Sequence, residues 1–250
     1  MATTTATGGK RATLRGLHEK FIVEEREIEP AERRQLFVIA ATLVAVGLLG
    51  FAVALISVLN ADGITTIDMP IRDWLMDGRS ESWTPAMLVL SFVFGPLFFP
   101  YLALVIAVFW VVRARHLWRP MLLVVGTAAG VVAVRGIAEL VGRKRPPVED
   151  MLTEIDSSES FPSGHVIGAS IFILLIAYLV FSRRQAKWIA ALSFLFAGLA
   201  VVATGLSRMY LGYHWASDVI GAIFLALVVL GAVIAIDTHR TTTAPVQPRR

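Results

Sequence analysis

His214 and Asp218 stand four residues apart in a chain that is otherwise largely lipid-soluble. On a helix that spacing puts both side chains on one face. A carboxylate accepting the Nδ1 proton would hold the imidazole in one tautomer and leave Nε2 free as a nucleophile. The same pair would also serve as a satisfied polar cap of a membrane helix. Ser207-Arg208, six to seven residues upstream, adds a permanently charged fork and a hydroxyl, both suited to phosphoryl oxygens.

Two further polar clusters interrupt the apolar sequence. Pro162-Ser163-Gly164-His165 reads as a helix start: serine suits the N-cap, and glycine lets the backbone approach an anion that the exposed N–H groups favour. His165 then projects from the first turn, placed to protonate a leaving oxygen; an ordinary capped helix with an interfacial histidine has the same pattern. Arg143-Lys144-Arg145 would usually be a topogenic anchor, but its side of the membrane, argued below, opposes that use. Binding a phosphate is the simplest alternative.

Helices crossing a bilayer must position these groups. The chain is 56% hydrophobic and 17% charged, with a mean hydropathy of +0.69, and carries several apolar runs of about 20 residues. The net charge of +4 falls mainly at the ends of those runs, which argues for positive-inside anchoring and against nucleic acid as a partner. Without cysteine, disulfides, thiolate metal sites and cysteine nucleophiles are excluded. Residues 1–35 are polar and charged, with no apolar core beside a small-residue cleavage site, so the first apolar run is expected to be an uncleaved anchor. Within that tail, residues 10–34 suggest a short surface helix ended near Pro30.

Six spans are expected near residues 36–59, 98–112, 118–141, 165–181, 188–206 and 215–236. Residues 60–82 carry Ile67, Ile71, Trp74 and Leu75 at helical spacing, which predicts an amphipathic interfacial helix. Gly95-Pro96 and Pro100 split the run from 83 to 112 into a short interfacial or re-entrant segment and a span. The expected architecture is an all-α polytopic bundle over residues 36–236, flanked by tails at 1–35 and 237–250. Under six spans the basic groups before span one, between spans two and three, between four and five, and at the end share one side. The positive-inside rule makes that side, with both termini, cytoplasmic. All three polar clusters then lie on the extracytoplasmic face.

The ordered set Arg145-Pro146, Pro162-Ser163-Gly164-His165 and Ser207-Arg208-x5-His214-x3-Asp218 resembles the type 2 phosphatidic acid phosphatase (PAP2) superfamily, in its membrane-bound branch. The second and third motifs match in full, and the resemblance covers about residues 60–236. It implies a PAP2/haloperoxidase-like helical core in which His214 attacks phosphorus and forms a phosphohistidine, with Asp218 orienting it. His165 would protonate the leaving group and then activate water. Arg145, Ser163, Gly164 and Arg208 would hold the phosphoryl oxygens, and no metal or other cofactor is implied, since fixed arginines stabilise the charge.

The first motif departs from the family pattern. The lysine expected seven residues before Arg145 is Ala138. Arg135, one turn earlier on the same helix face, is a candidate replacement, as are Arg143 and Lys144 from the loop. Arg135 also has the spacing for an ion pair with Glu139. The resemblance therefore implies a membrane phosphatase acting on a lipid phosphomonoester or diphosphate at the outer face of a bacterial-type plasma membrane. Undecaprenyl diphosphate, phosphatidylglycerol phosphate and phosphatidic acid are the candidate substrates, with the carrier-lipid diphosphate first. A lipid phosphotransferase using the same phosphohistidine, and a non-catalytic lipid-binding membrane protein, are the alternatives.

Overall fold

In lipid every backbone N–H and C=O needs an internal partner, so apolar runs of this length become helices. The computed structural model describes residues 26–95, 97–181 and 187–243, and the expectations placed on the tail before residue 26 and on residues 244–250 lie outside them. In chain order the α-helices are α1 (Pro30–Asn60), α2 (Asp68–Asp77), α3 (Thr84–Val93), α4 (Phe99–Ala114), α5 (Trp118–Val141), α6 (Gly164–Ile176), α7 (Lys187–Tyr210) and α8 (Ala216–Thr241). A π-helical turn, Ala177–Phe181, prolongs α6. The protein is an all-α, multi-pass membrane bundle, and among the described residues five helices are long and apolar enough to cross a bilayer: α1, α5, α6 with its extension, α7 and α8.

The remaining expected span, α4, has only 16 residues, about 24 Å of helix against a hydrocarbon core of about 30 Å. It follows α3 across a break at residues 94–98, so the expected short segment and span are present as two apolar helices. Phe92 and Phe98 stack across the break with centroids 5.1 Å apart. Boundaries moved at the other end too. Pro30 starts α1 rather than ending a preceding helix, because proline at the first helical position loses only an N–H that has no partner there. The charged residues Glu32, Arg33 and Arg34 are thus the first turns of a helix, and the edge expected at 35 falls within it. On α2, Leu75 is buried while Trp74 is 70% exposed, so the tryptophan points away from the bundle.

α1 and α8 pack closely through glycines. A Cβ on Gly47 would lie 2.7 Å from the Phe224 carbonyl oxygen, and one on Gly231 2.7 Å from that of Ala40; small residues let membrane helices approach to this distance. Around α6 the core is apolar, with Val166, Ile167, Ile171 and Leu175 fully buried. At one end of the bundle Arg26–Glu27 pairs in parallel with Thr242–Thr243, and Arg33 Nε donates to Thr242 Oγ1 at 3.0 Å. At that end Asp237 also accepts from Trp118 Nε1 and the Tyr178 hydroxyl, each at 2.9 Å. The opposite end gathers α2, the loop 142–163, the end of α7 and the start of α8.

Candidate active site

The turn between α7 and α8 presents His214. Gly212 adopts φ +82° there, and a Cβ on it would lie 2.3 Å from the Asp150 carbonyl oxygen, so the loop from 148 to 152 sits directly on this turn. Arg79 fastens the same contact, donating to the carbonyls of Tyr210 and Asp150. Trp215 is the N-cap of α8. Its N–H donates to Asp218 Oδ2 at 2.9 Å, an acidic side chain reaching back to the cap from N3.

His214 is buried, and its partners decide its tautomer. Arg145 Nη1 lies 3.1 Å from His214 Nε2. A guanidinium can only donate, so Nε2 is the acceptor and carries no proton. Nδ1 then holds the proton and donates it to the Ser160 carbonyl at 3.0 Å, with Asp218 Oδ2 at 3.4 Å. Burial pushes the imidazole down from its ordinary value to about 4; the Arg145 charge adds to this and Asp218 opposes it. At neutral pH the ring is uncharged, as a nucleophile requires.

Asp218 is fully buried. It accepts from the Ser160 hydroxyl and from Arg143 Nη1 at 2.5 Å. Arg143 also donates to Ser217 Oγ at 2.7 Å and, through Nη2, to Asp68 Oδ2 at 2.6 Å. Asp68, at the start of α2, takes two more hydrogen bonds from the backbone N–H and hydroxyl of Ser217, at 2.8 and 2.7 Å. One guanidinium therefore bridges two buried carboxylates beside His214.

Arg145 is held by the loop that follows it. It donates to the Ser158 carbonyl and hydroxyl, each at 2.9 Å, and to the Tyr213 carbonyl at 2.7 Å; Asp156 Oδ2 is 2.9 Å away. Burial lowers its pKa, against the pull of Asp156 and Asp218. Arg208 lies with its guanidinium 4.2 Å from the centroid of the Tyr213 ring and donates from Nη1 to Ser91 Oγ at 2.5 Å. Its Nε is buried and has no hydrogen-bond partner among the described residues. His165, on the first turn of α6, has Nε2 3.6 Å from the position of a Cβ on Gly95, in the α3–α4 break. The charges acting on it are those of Arg208, His214 and Arg145. Ser163 is the N-cap of α6, its hydroxyl accepting from the Val166 N–H, while Gly164 beside it is exposed. Two guanidiniums, two imidazoles and the N-terminus of α6 thus converge, a donor set matched to a phosphoryl group.

Four of the expected phosphate ligands are placed otherwise. Ser207 is fully buried, and its hydroxyl donates to the Met87 carbonyl at 2.8 Å, fastening α7 to α3. Arg143 is committed to Asp68 and Asp218, as described. The Lys144 side chain is exposed, and its backbone carbonyl accepts from Trp215 Nε1 at 3.0 Å. Arg135 and Glu139 are both exposed and form no ion pair with each other.

Asp68, Ser91, Ser160, Tyr213 and Ser217 escaped the sequence reading. Asp68 and Ser91 are remote in sequence, on elements whose packing against the motif loops no spacing rule discloses. Ser160 contributes a backbone carbonyl, for which no residue type is a signal. Ser217 offered one clue, as a hydroxyl next to Asp218 in the first turn of a helix.

Residues 119–241 match the PAP2 superfamily, a stretch containing all three polar clusters. Phosphatidylglycerophosphatase B of Bacillus subtilis (strain 168) is 36% identical over 122 residues, which are 47% of this chain and 56% of that relative. The chain thus matches little more than half the length of this curated relative. The fold is similar to the crystal structure of a transmembrane PAP2 type phosphatidylglycerolphosphate phosphatase from Bacillus subtilis, with a TM-score of 0.68 over 79% of this chain and 95% of the other, at 23% identity. Residues 119–241 thus form a PAP2 superfamily domain, which holds all three polar clusters.

Proposed function

We propose that the protein is an integral-membrane lipid phosphate phosphatase working through a phosphohistidine at the extracytoplasmic face. The observation that carries this reading is the pair of hydrogen bonds on His214: Nδ1–H to the Ser160 carbonyl and the Nε2 lone pair toward Arg145. They leave an uncharged imidazole with its nucleophilic atom against the group that would grip the phosphate. Nε2 attacks phosphorus, and the P–O bond to the lipid breaks as protonated His165 gives its proton to the leaving oxygen. Arg145, Arg208 and the backbone N–H of Gly164 at the start of α6 take the charge on the equatorial oxygens, while the Ser163 N–H is held by the Asp218 carbonyl. Neutral His165 then accepts a proton from water. The resulting oxygen attacks phosphorus, the P–N bond breaks, and inorganic phosphate leaves with Nε2 restored.

Phosphatidylglycerol phosphate is the first substrate to test, because the Bacillus subtilis relative is a phosphatidylglycerophosphatase; this moves it ahead of undecaprenyl diphosphate. The extracytoplasmic placement rests on Arg33, Arg34, Arg113, Arg115, Lys187 and Arg240, which lie at helix ends away from the site. Phosphate release in detergent micelles across phosphatidylglycerol phosphate, phosphatidic acid and undecaprenyl diphosphate tests the reading. Release from at least one of them, abolished by His214→Ala, is expected. Absence of release from all three, with or without an added lipid or sugar hydroxyl acceptor, contradicts it.

A further inference from the structure

Phosphoryl transfer to His214 turns an uncharged imidazole into a phosphorylated ring carrying a positive charge. What surrounds the buried Nδ1 side of the ring must therefore supply about one negative charge that is not already neutralised. Asp218 alone is not that charge, because Arg143 Nη1 donates to it at 2.5 Å. A guanidinium belonging to Asp218 only would cancel it. The fork is shared instead: Nη2 of Arg143 reaches Asp68 Oδ2 at 2.6 Å. Asp68 is itself 4% exposed and tied to the N–H and hydroxyl of Ser217. Two carboxylates and one guanidinium leave a net charge of −1 beside the nucleophile.

We propose that Asp68 is a positioning residue for the reaction, which by sharing Arg143 keeps Asp218 negative enough to stabilise the phosphorylated imidazole. The proposal rests on the reading of His214 as nucleophile. Asp68 acts at one remove, through Arg143 and Asp218. It belongs to α2, outside the stretch 119–241, so the site is completed by an element the family match does not include.

Charge balance gives the proposal a signature that mere fastening of α2 to α8 lacks. Asp68→Asn brings the net charge to zero; kcat should fall roughly tenfold to hundredfold with KM within about twofold. The acid limb of the kcat/KM profile should move to lower pH, since His214 loses a favourable negative charge. Arg143→Gln alone leaves two unneutralised carboxylates and should also fall by roughly tenfold or more. The double variant Asp68→Asn/Arg143→Gln restores −1 and should be more active than either single variant. Ser217→Ala removes the hydroxyl's hydrogen bond to Asp68 and the one it accepts from Arg143 without altering charge; it should keep kcat within about threefold and leave the limb in place.

A double variant no better than both singles overturns the proposal, as does a Ser217→Ala variant that reproduces the loss and pH shift of Asp68→Asn. If Asp68→Asn does not accumulate in the membrane, the comparison of the double variant with Arg143→Gln alone decides. His214→Ala run in parallel separates the failures. An active His214→Ala protein refutes the nucleophile reading, whereas an inactive one beside a fully active Asp68→Asn refutes only the role of Asp68.

Discussion

Arg145 and His214 touch: Nη1 of the arginine donates to Nε2 of the histidine at 3.1 Å. The atom assigned to attack phosphorus is therefore capped by the group assigned to bind it. On the proposed mechanism, a phosphate entering the site would exchange that hydrogen bond for the guanidinium's contacts with its own oxygens. The remaining donors of Arg145 are anchored to Ser158, Tyr213 and Asp156, so the fork has little distance to travel. Arg145→Ala is expected to lower kcat/KM about 10²–10³-fold, the range for losing one preorganised donor to a transition-state oxyanion. Arg145→Lys should recover only part of this, since an ammonium cannot hold both the loop and the phosphate. Steady-state kinetics on phosphatidylglycerol phosphate micelles would show a wild-type rate in Arg145→Ala if the assignment were wrong.

The depressed pKa of His214 sets a pH dependence. Burial holds it near 4, so Nε2 keeps its lone pair from neutrality down to about that pH. The acid limb of kcat/KM contributed by this group should lie near 4 rather than near 6.5. Stability follows the same linkage. The folded value is below the unfolded one, so the unfolded chain binds the extra proton first as pH falls. The stability contribution is present above about 6.5 and is lost progressively toward 4. Thermal unfolding in detergent should report a declining midpoint across that window in the wild type and a flatter one in His214→Asn.

Ser207 separates packing from catalysis. Its hydroxyl donates to the Met87 carbonyl inside the α3–α7 contact. Ser207→Ala should cost about 1 kcal/mol of stability, with KM and kcat within about twofold. A large rise in KM would instead restore it to the phosphate-binding set.

Gly212 tests the backbone beneath His214. With φ at +82° and the Asp150 carbonyl 2.3 Å from an added Cβ, Gly212→Ala must move the loop 148–152 off the turn. A loss of about 1–3 kcal/mol from the strained backbone alone is expected, together with lower kcat as His214 shifts. Unchanged melting and turnover would show that the turn is not held in this way.

Arg135 addresses the missing lysine at Ala138. Its side chain is exposed and forms no ion pair with Glu139. Arg135→Ala should leave kcat/KM within about threefold if Arg145 and Arg208 suffice as the cationic ligands. A drop of roughly tenfold or more in the same assay would identify Arg135 as the stand-in.

Much of this protein was readable from its residues because membrane helices obey few rules. Apolar length fixed α1, α5, α6, α7 and α8 to within several residues. The Gly95-Pro96 break announced that α3 and α4 are separate. The motif residues His165, Arg145, Arg208 and His214 came together because each lies at or beside a helix end on one side of the bundle. What escaped was whatever depended on tertiary contact. Spacing suggested that Asp218 alone takes the Nδ1 proton, whereas the Ser160 carbonyl, from a loop 54 residues upstream, is the nearer acceptor. Arg143 read as a phosphate ligand because its two carboxylate partners lie 75 residues away in each direction. Proline was ambiguous at Pro30, which begins a helix, and only the cap geometry tells that from an ending.

The central claim is that His214 becomes phosphorylated, and it is tested most directly by rapid acid-free quenching of the membrane protein with phosphatidylglycerol [³²P]phosphate labelled in its terminal group. Label that is stable in alkali and labile in acid, mapped to the peptide containing His214 and missing from His214→Ala, is the predicted result. Turnover with no protein-bound label at any quench time, or label and turnover surviving in His214→Ala, would contradict it.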